Sequence, residues 1–280
     1  MADLTTIILT YNEELNIEKC IKSISSISKR VIVVDSHSTD STVEKAKKMG
    51  AEIYLNPFIS HSSQFEFAIE NCDINTAWIL RLDADERLTE TSRNELNSLC
   101  NKHESEKSIT GIVLRFEVNF LGKKLRHGGI YPFRKLLVFK NGAGKIERRN
   151  MDEHIYLAYG KSIEMKSDSL HEDYKNLSRW ISKHNNYSDK EVLDYKGELM
   201  TTNSKLHINA KFKRWTKVNI YYKLPLGIRP FIYFMYRFVL KKGFLDGKEG
   251  FIFAVLQAFW YRFLVDAKIY EDQKTNGVSK

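Results

Sequence analysis

Thr5-Thr6-Ile7-Ile8-Leu9-Thr10 is a short apolar run rich in β-branched residues, and Tyr11-Asn12-Glu13-Glu14 follows it directly. Val31-Ile32-Val33-Val34 repeats the form and ends on Asp35, as a strand buried on both faces does. Between the two runs, Ile17, Cys20, Ile21, Ile24 and Ile27 recur at helical spacing, and Asn12 is placed to cap that helix. Ser38-Thr39-Asp40 offers caps for a second helix, which carries Val43, Ala46 and Met49 and closes at Gly50. Ala51–Leu55 reads as a third strand. This alternation implies parallel strands and an open α/β sheet. A helix over Ser63–Cys72 and a fourth strand, Trp78-Ile79-Leu80-Arg81-Leu82, continue the series. Asp83-Ala84-Asp85-Glu86 comes immediately after that strand, and Thr89 opens a further helix through Leu96 and Leu99.

From about residue 103 the pattern changes. Strand-like runs occur at Ile109–Phe116, Leu136–Phe139 and Ser162–Met165, with Gly-rich turns between them. A helix over Leu177–Tyr195 follows, then a polar stretch over 198–210. The chain has 280 residues, 42% apolar and 28% charged, which excludes collagen, global disorder and low complexity. Cys20, Cys72 and Cys100 form no C-x-x-C pair, which argues against a disulfide framework or a structural zinc site and fits a reducing compartment. The first residues show no basic region leading into an apolar one, so no secretory signal is expected.

In open α/β sheets ligands bind beyond the carboxyl ends of the strands. Thr10-Tyr11-Asn12-Glu13, Asp35 and Asp83/Asp85 all fall at such ends, so three strands can build one pocket. Two carboxylates spaced as Asp83-x-Asp85 can both reach one hard cation, directly or through water, and Mg²⁺ or Mn²⁺ suits oxygen ligands and retained waters. Such a cation bridges a diphosphate. Neither G-x-x-x-x-G-K-[ST] nor G-x-G-x-x-G is present, so a P-loop or dinucleotide reading lacks its phosphate cradle. G-x-S-x-G and H-E-x-x-H are absent too.

Thr10-Tyr11-Asn12-Glu13-Glu14, Val33-Val34-Asp35-Ser36-His37-Ser38-Thr39-Asp40 and Leu82-Asp83-Ala84-Asp85-Glu86 together resemble the family-2 glycosyltransferases of GT-A fold. Glu153-His154, Leu177-x-x-Trp180-Ile181-x-Lys183-His184-Asn185-x-Tyr187-Ser188 and Gly243-Phe244-Leu245-Asp246-Gly247-Lys248-Glu249-Gly250 are similar to the branch that builds lipopolysaccharide core, of the β-1,4-glucosyltransferase type. The resemblance implies a Rossmann-like, mostly parallel central sheet flanked by helices. It implies a catalytic domain over about 1–200, with a nucleotide-sugar half over about 1–102 and an acceptor half over about 103–200. It implies that Tyr11 packs near the nucleotide base, helped by Thr10 and Glu13, and that Asp35 bonds the base or ribose. Asp83, Ala84 and Asp85 then line the ribose and diphosphate, Asp83 and Asp85 hold the metal, and His171 is placed as a further ligand. Glu153, or its neighbour Asp152, matches the acceptor-side base. UDP-glucose or a similar UDP-hexose is the implied donor.

The chemistry fits independently. Displacement at an anomeric carbon needs a cation for the departing diphosphate and a carboxylate to take the acceptor hydroxyl's proton. One base opposite the leaving group inverts the centre. Two departures touch the donor side. Relatives usually carry a basic residue and an asparagine where this chain has Phe65 and Glu66, and many have Arg-Leu-Phe where it has Leu137-Val138-Phe139. Arg134, Lys135 and Arg81 are the candidates to compensate.

The net charge of +9 is concentrated at one end: residues 204–280 hold 15 Lys+Arg against 5 Asp+Glu. Phe231–Leu240 and Phe251–Asp266 are aromatic-rich apolar stretches flanked by cations, and neither gives about 20 uncharged apolar residues, so a spanning helix is not expected. Residues 225–270 read instead as a helical, membrane-associating extension lying on anionic lipid, with Gly243, Gly247 and Gly250 in the turn and Arg262 paired with Asp266 at i,i+4. That suits a lipid-linked saccharide acceptor at the inner face of a bacterial cytoplasmic membrane. A helical subdomain packed on the catalytic domain or a homo-oligomer contact is the other use of such helices. The aromatics lie in long apolar stretches rather than interleaved with cations, which disfavours nucleic acid. A weakened or non-catalytic membrane-binding relative, a sugar nucleotidyltransferase and a glycosidase are the competing functions.

Overall fold

A computed structural model describes residues 1–147, 154–173, 175–198 and 215–275. These fall into two compact units, one built from described residues of 1–119, 132–147 and 154–173, the other from those of 120–131, 175–198 and 215–275.

The first unit is organised by four parallel strands, β1 (Leu4–Thr10), β2 (Arg30–Asp35), β3 (Glu52–Leu55) and β4 (Trp78–Asp83). All of β1 is buried, as its unbroken apolar and threonine sequence requires for a central parallel strand. Beyond β4 come β5 (Glu86–Arg87), β6 (Ile109–Phe120), β7 (Lys123–Leu125), β8 (Phe133–Lys140), β9 (Gly144–Ile146), β10 (Ile155–Leu157) and β11 (Lys161–His171). The main sheet runs β3-β2-β1-β4-β8-β6-β11-β5. It is parallel through β4, antiparallel at β8, and parallel again between β6 and β11. This is the mixed, mostly parallel GT-A sheet.

The helices α1 (Ile17–Ile24), α2 (Thr42–Lys48), α3 (His61–Asn71) and α4 (Glu90–Lys102) cover it. Helix α1 buries Ile17, Cys20, Ile21 and Ile24, the periodic set. Ser60 and Thr89 close reciprocal capping boxes with Ser63 and Ser92, which fixes where α3 and α4 begin. Asn12 does not cap α1. Its backbone is left-handed at φ 53°, and its side chain accepts from Thr39 N at 2.9 Å, so it ties the loop after β1 to the loop after β2. Phe65 and Phe139 meet edge to face at 5.8 Å inside the apolar layer with Ile7, Ile32 and Ile79. A side chain at Gly144 would lie 2.2 Å from the Phe139 ring, so only glycine passes there. Cys20, Cys72 and Cys100 are free and buried, and burial pushes the Cys72 thiol up to about 11 and the Cys100 thiol up to about 12.

In the second unit α5 (Leu177–Glu198) packs Val192 and Tyr195 against Tyr261, Val265 and Ile269 of α8 (Tyr261–Thr275). Helix α6 (Ile228–Met235) continues through a π-helical turn, Tyr236–Leu240. The chain reverses over Gly243–Asp246 into α7 (Gly247–Phe253) and a second π-helical turn, Ala254–Trp260, that leads to α8. Phe234 meets Phe259 and Phe238 meets Phe251, so the two apolar stretches form an antiparallel hairpin.

The second stretch lies within a helical run of 33 residues, Gly243–Thr275, long and apolar enough by length and composition to cross a membrane. One expectation about this region is corrected: Arg262 and Asp266 do not pair with each other. Arg262 bonds Glu191 of α5, and Asp266 holds Arg229 at 2.6 Å, both members of that pair being buried. Three tyrosine rings, Tyr195, Tyr221 and Tyr222, face the Arg229 guanidinium at 5.1–5.7 Å. Burial opposes ionisation of Glu191, yet Arg262 and Lys217 outweigh it and hold the carboxyl at about 2. Helix charges satisfied by neighbouring helices face inward, whichever surface the unit rests on.

Phe65→Ala leaves a cavity against Phe139 and is expected to cost about 3–5 kcal/mol in denaturant unfolding. A second expectation concerns pH. Burial lowers the His184 pKa from 6.5 to about 4, against a backbone bond to Trp180. The folded form thus binds fewer protons than the unfolded chain. The stabilising contribution is full above about 6.5 and is lost as pH falls toward 4. Thermal unfolding followed across that window should show the loss, and His184→Gln should flatten it.

Candidate active site

The register of the parallel strands brings the three polar strand ends together. Thr10 lies opposite Asp35 and Leu9 opposite Asp83. Asp35 is fully buried, and its carboxylate accepts from Thr10 Oγ1 at 2.8 Å, Ser38 N at 2.7 Å and Ser38 Oγ at 2.6 Å. It therefore fixes the two loops that frame the strand ends. Tyr11 stands out from this frame, 57% exposed, where a planar base can pack on it. Glu13 accepts from Asn16 Nδ2 at 2.8 Å, and the same amide donates to Asp173 Oδ1 at 3.0 Å. The loop after β1 is thereby tied to the chain just past β11.

The Asp83–Glu86 turn is where charge concentrates. Asp83 Oδ1 is 2.8 Å from Arg81, and its other oxygen is 3.3 Å from Lys135 Nζ. Ala84 is buried and holds the turn against the core. Glu86 is fully buried; it accepts from Asp83 N at 3.0 Å and from Lys135 Nζ at 2.5 Å. Burial raises the Glu86 pKa against the pull of Lys135. The same contacts raise Lys135, because Glu86 and Asp83 outweigh its own desolvation.

Beyond the turn, β5 pairs antiparallel with the end of β11, Glu86 opposite His171 and Arg87 opposite Leu170. Glu172 N donates to Asp85 O at 2.9 Å, and Arg87 bonds the Glu172 carboxylate at 2.6 Å. This lock carries His171 to Asp85, with Nε2 3.7 Å from Oδ2. The edge of the Phe133 ring backs the imidazole at 6.3 Å. An octahedral cation with bonds of about 2.1 Å sets adjacent ligands about 3 Å apart, so Asp85 and His171 bring an oxygen and an imidazole nitrogen, both suited to Mg²⁺ or Mn²⁺, near that spacing, and a small side-chain rotation closes the rest. Among the described residues no three His, Cys, Asp or Glu side chains cluster as a complete metal site. The expected trio thus divides: Asp85 and His171 approach each other, while Asp83 is turned toward Arg81 and Lys135.

Asp152 and Glu153 lie outside the described residues. The chain on either side of them is ordered as a ladder, Ile146 opposite Ile155, with Glu147 N donating to His154 O at 3.0 Å. Phe65 is a core residue rather than a site residue, and Leu137-Val138-Phe139 is buried throughout. Of the three compensating cations named from sequence, Arg81 and Lys135 reach the turn, and Arg134 pairs instead with Glu164. Glu86, Asn16 and the Arg87–Glu172 pair were given no role from sequence. Glu86 adjoined the acidic motif, but nothing in the pattern marks the other three.

A family model described as glycosyl transferase family 2 matches residues 5–166, and the chain belongs to that family. It is a glycosyltransferase of GT-A fold. Similar along nearly their whole length are an uncharacterised glycosyltransferase of Rickettsia typhi, 26% identical over 97% of this chain and 88% of that protein, and the lipopolysaccharide core biosynthesis glycosyltransferase LpsC of Rhizobium meliloti, 27% identical over 96% of this chain and 92% of that protein. The solved glucosyl-3-phosphoglycerate synthase of Mycobacterium tuberculosis overlaps 42% of this chain and 44% of that chain, at 20% identity and a TM-score of 0.34.

Lys135→Met strands Glu86 as a buried, unpaired carboxylate and is expected to cost about 3 kcal/mol at neutral pH. Because the Glu86 pKa is raised in the folded state, the deficit is smallest below its unfolded value near 4.5 and grows as pH rises. Glu86→Gln in the same chain should recover most of the loss. Denaturant unfolding of the full double-mutant cycle at two pH values measures both effects.

Proposed function

We propose that this glycosyltransferase moves a hexose from a nucleotide diphosphate sugar, UDP-glucose or a similar UDP-hexose, to a lipid-linked saccharide of the lipopolysaccharide inner core. The observation that carries the donor half is the approach of Asp85 and His171 beside Asp83 at the end of β4. Tyr11 packs on the base, and Thr10 and Glu13 shape its edge. Asp35 sets the loop that presents them, and its own route to the nucleotide is through Ser38 and Thr10. Asp83, already balanced by two cations, accepts from the ribose hydroxyls. Asp85 and His171 would hold Mg²⁺ or Mn²⁺, and the cation would supply charge stabilisation for the departing diphosphate. Lys135 and Arg81 add fixed positive charge beside that group.

Glu153, or Asp152, takes the proton from the acceptor hydroxyl on the face opposite the leaving group, so the anomeric configuration inverts. A β-linked product forms from an α-linked donor. The LpsC relative, named for core biosynthesis, supports the acceptor class. The catalytic domain spans about residues 1–200. The basic helical region after it rests on the anionic inner face of the cytoplasmic membrane, where a lipid-linked acceptor is presented.

Calorimetric titration with UDP, with and without Mn²⁺, tests the donor site. Wild type should bind UDP in a metal-dependent way, and Asp85→Ala and His171→Ala should each weaken binding in Mn²⁺ by about tenfold or more. Metal-independent binding untouched by either change would overturn the ligand assignment. A folded wild type that ignores UDP would overturn the choice of nucleotide.

A further inference from the structure

The helical hairpin of the second unit has two unlike ends. One is anchored: Tyr261, Val265 and Ile269 pack on α5. The other, the reversal around Lys241–Asp246, is open and apolar. Leu240 is 73% exposed, Leu245 53% and Phe244 49%. A second turn, remote in sequence, is clamped beside it. The buried Asp246 carboxylate accepts from Arg126 N, His127 N and His127 Nδ1 at 2.7–3.2 Å. Gly128 N donates to Lys241 O at 2.8 Å, and Lys123 pairs with Glu249 at 3.4 Å.

The clamped segment begins with a two-residue turn, Leu121-Gly122, between β6 and β7. Both residues are left-handed, with φ 49° and 79°. Such a turn favours Asn-Gly, and a leucine there is strained. Leu121 gains no burial in return, being 54% exposed. Around the apolar tips stand Lys123, Lys124, Arg126, Lys241, Lys242 and Lys248, all exposed.

We infer that these two turns together are the membrane-docking tip of the protein, with Leu121, Leu240, Phe244 and Leu245 entering an anionic bilayer and the surrounding cations meeting its headgroups. The inference rests on the reading that this enzyme works at a lipid surface, and it changes which part touches lipid. The hairpin stands on its tip rather than lying along its length, and part of the contact comes from residues 121–126, well before the basic tail. Charge decides the occupant. A second copy presenting the same patch across a two-fold axis would set the cations against one another. Three of the four tip residues are leucines, so the tip lacks the run of aromatic rings on which successive nucleic-acid bases stack. Apolar side chains ringed by lysine and arginine match the interface of an anionic membrane. Asp246 is the positioning residue that holds the two turns side by side.

The test is co-sedimentation of the full chain with phosphatidylcholine vesicles, with and without phosphatidylglycerol. Wild type should bind the anionic vesicles and release from them as salt rises. Leu121→Asn and Leu245→Ser should each lower partitioning about fivefold or more. Phe231→Ser, on the exposed shaft of α6, should leave it unchanged. Lys241→Gln with Lys242→Gln should erase the preference for phosphatidylglycerol. Leu121→Asn also separates docking from structure, because it supplies the favoured turn residue. Its thermal midpoint should hold or rise while vesicle binding falls. Tip variants that bind like wild type, or a Phe231→Ser loss equal to theirs, would overturn docking by the tip and leave the membrane reading standing. A wild type that binds neither vesicle would overturn both.

Discussion

The site depends on two residue pairs of backbone register, Glu86 opposite His171 and Arg87 opposite Leu170. Strands so short contribute little on their own, and this one is secured by side chains on both flanks. Arg87 grips Glu172, Glu86 is buried under Lys135, and Asn16 bridges Glu13 to Asp173. A slip of one residue would turn His171 to the other face of its strand. Asp85 would then face Leu170 or Glu172 instead of an imidazole. The acidic turn and the histidine are thus one object, built from chain segments 85 residues apart.

The buried pair at its base has a cost. Glu86 and Lys135 both give up water, and the gain from their contact offsets that loss only while both are present. Lys135 also touches Asp83, so a group that stabilises the fold stands at the rim where phosphate charge is expected. Structural and functional demands on that lysine cannot be separated by its position alone. A double-mutant cycle separates them because only the structural demand is cancelled by neutralising Glu86.

Much of the first unit was legible in the sequence. The strands β1, β2 and β4 are continuous apolar runs with polar residues at their ends, and that signal survives without tertiary information. What was illegible has a common cause. β5 is two charged residues whose strand character comes wholly from its partner β11. Asn12 looks like a cap in one dimension, yet its left-handed backbone directs it across to Thr39. The Arg262–Asp266 pairing was plausible at helical spacing, but Glu191 and Arg229 are better partners because they are buried alongside. The acidic motif marked the donor side, while the helpers Glu86, Asn16 and Glu172 gain meaning only from contacts.

The three buried cysteines have a practical consequence. Each thiol is enclosed, and burial raises the Cys72 and Cys100 values far above neutrality, so almost no thiolate is present to react. Maleimide and methanethiosulfonate reagents need that thiolate. The natural chain is accordingly a quiet background for labelling, and a cysteine placed at any exposed position would carry a fluorophore or spin label alone, without first stripping out native residues that the core depends on.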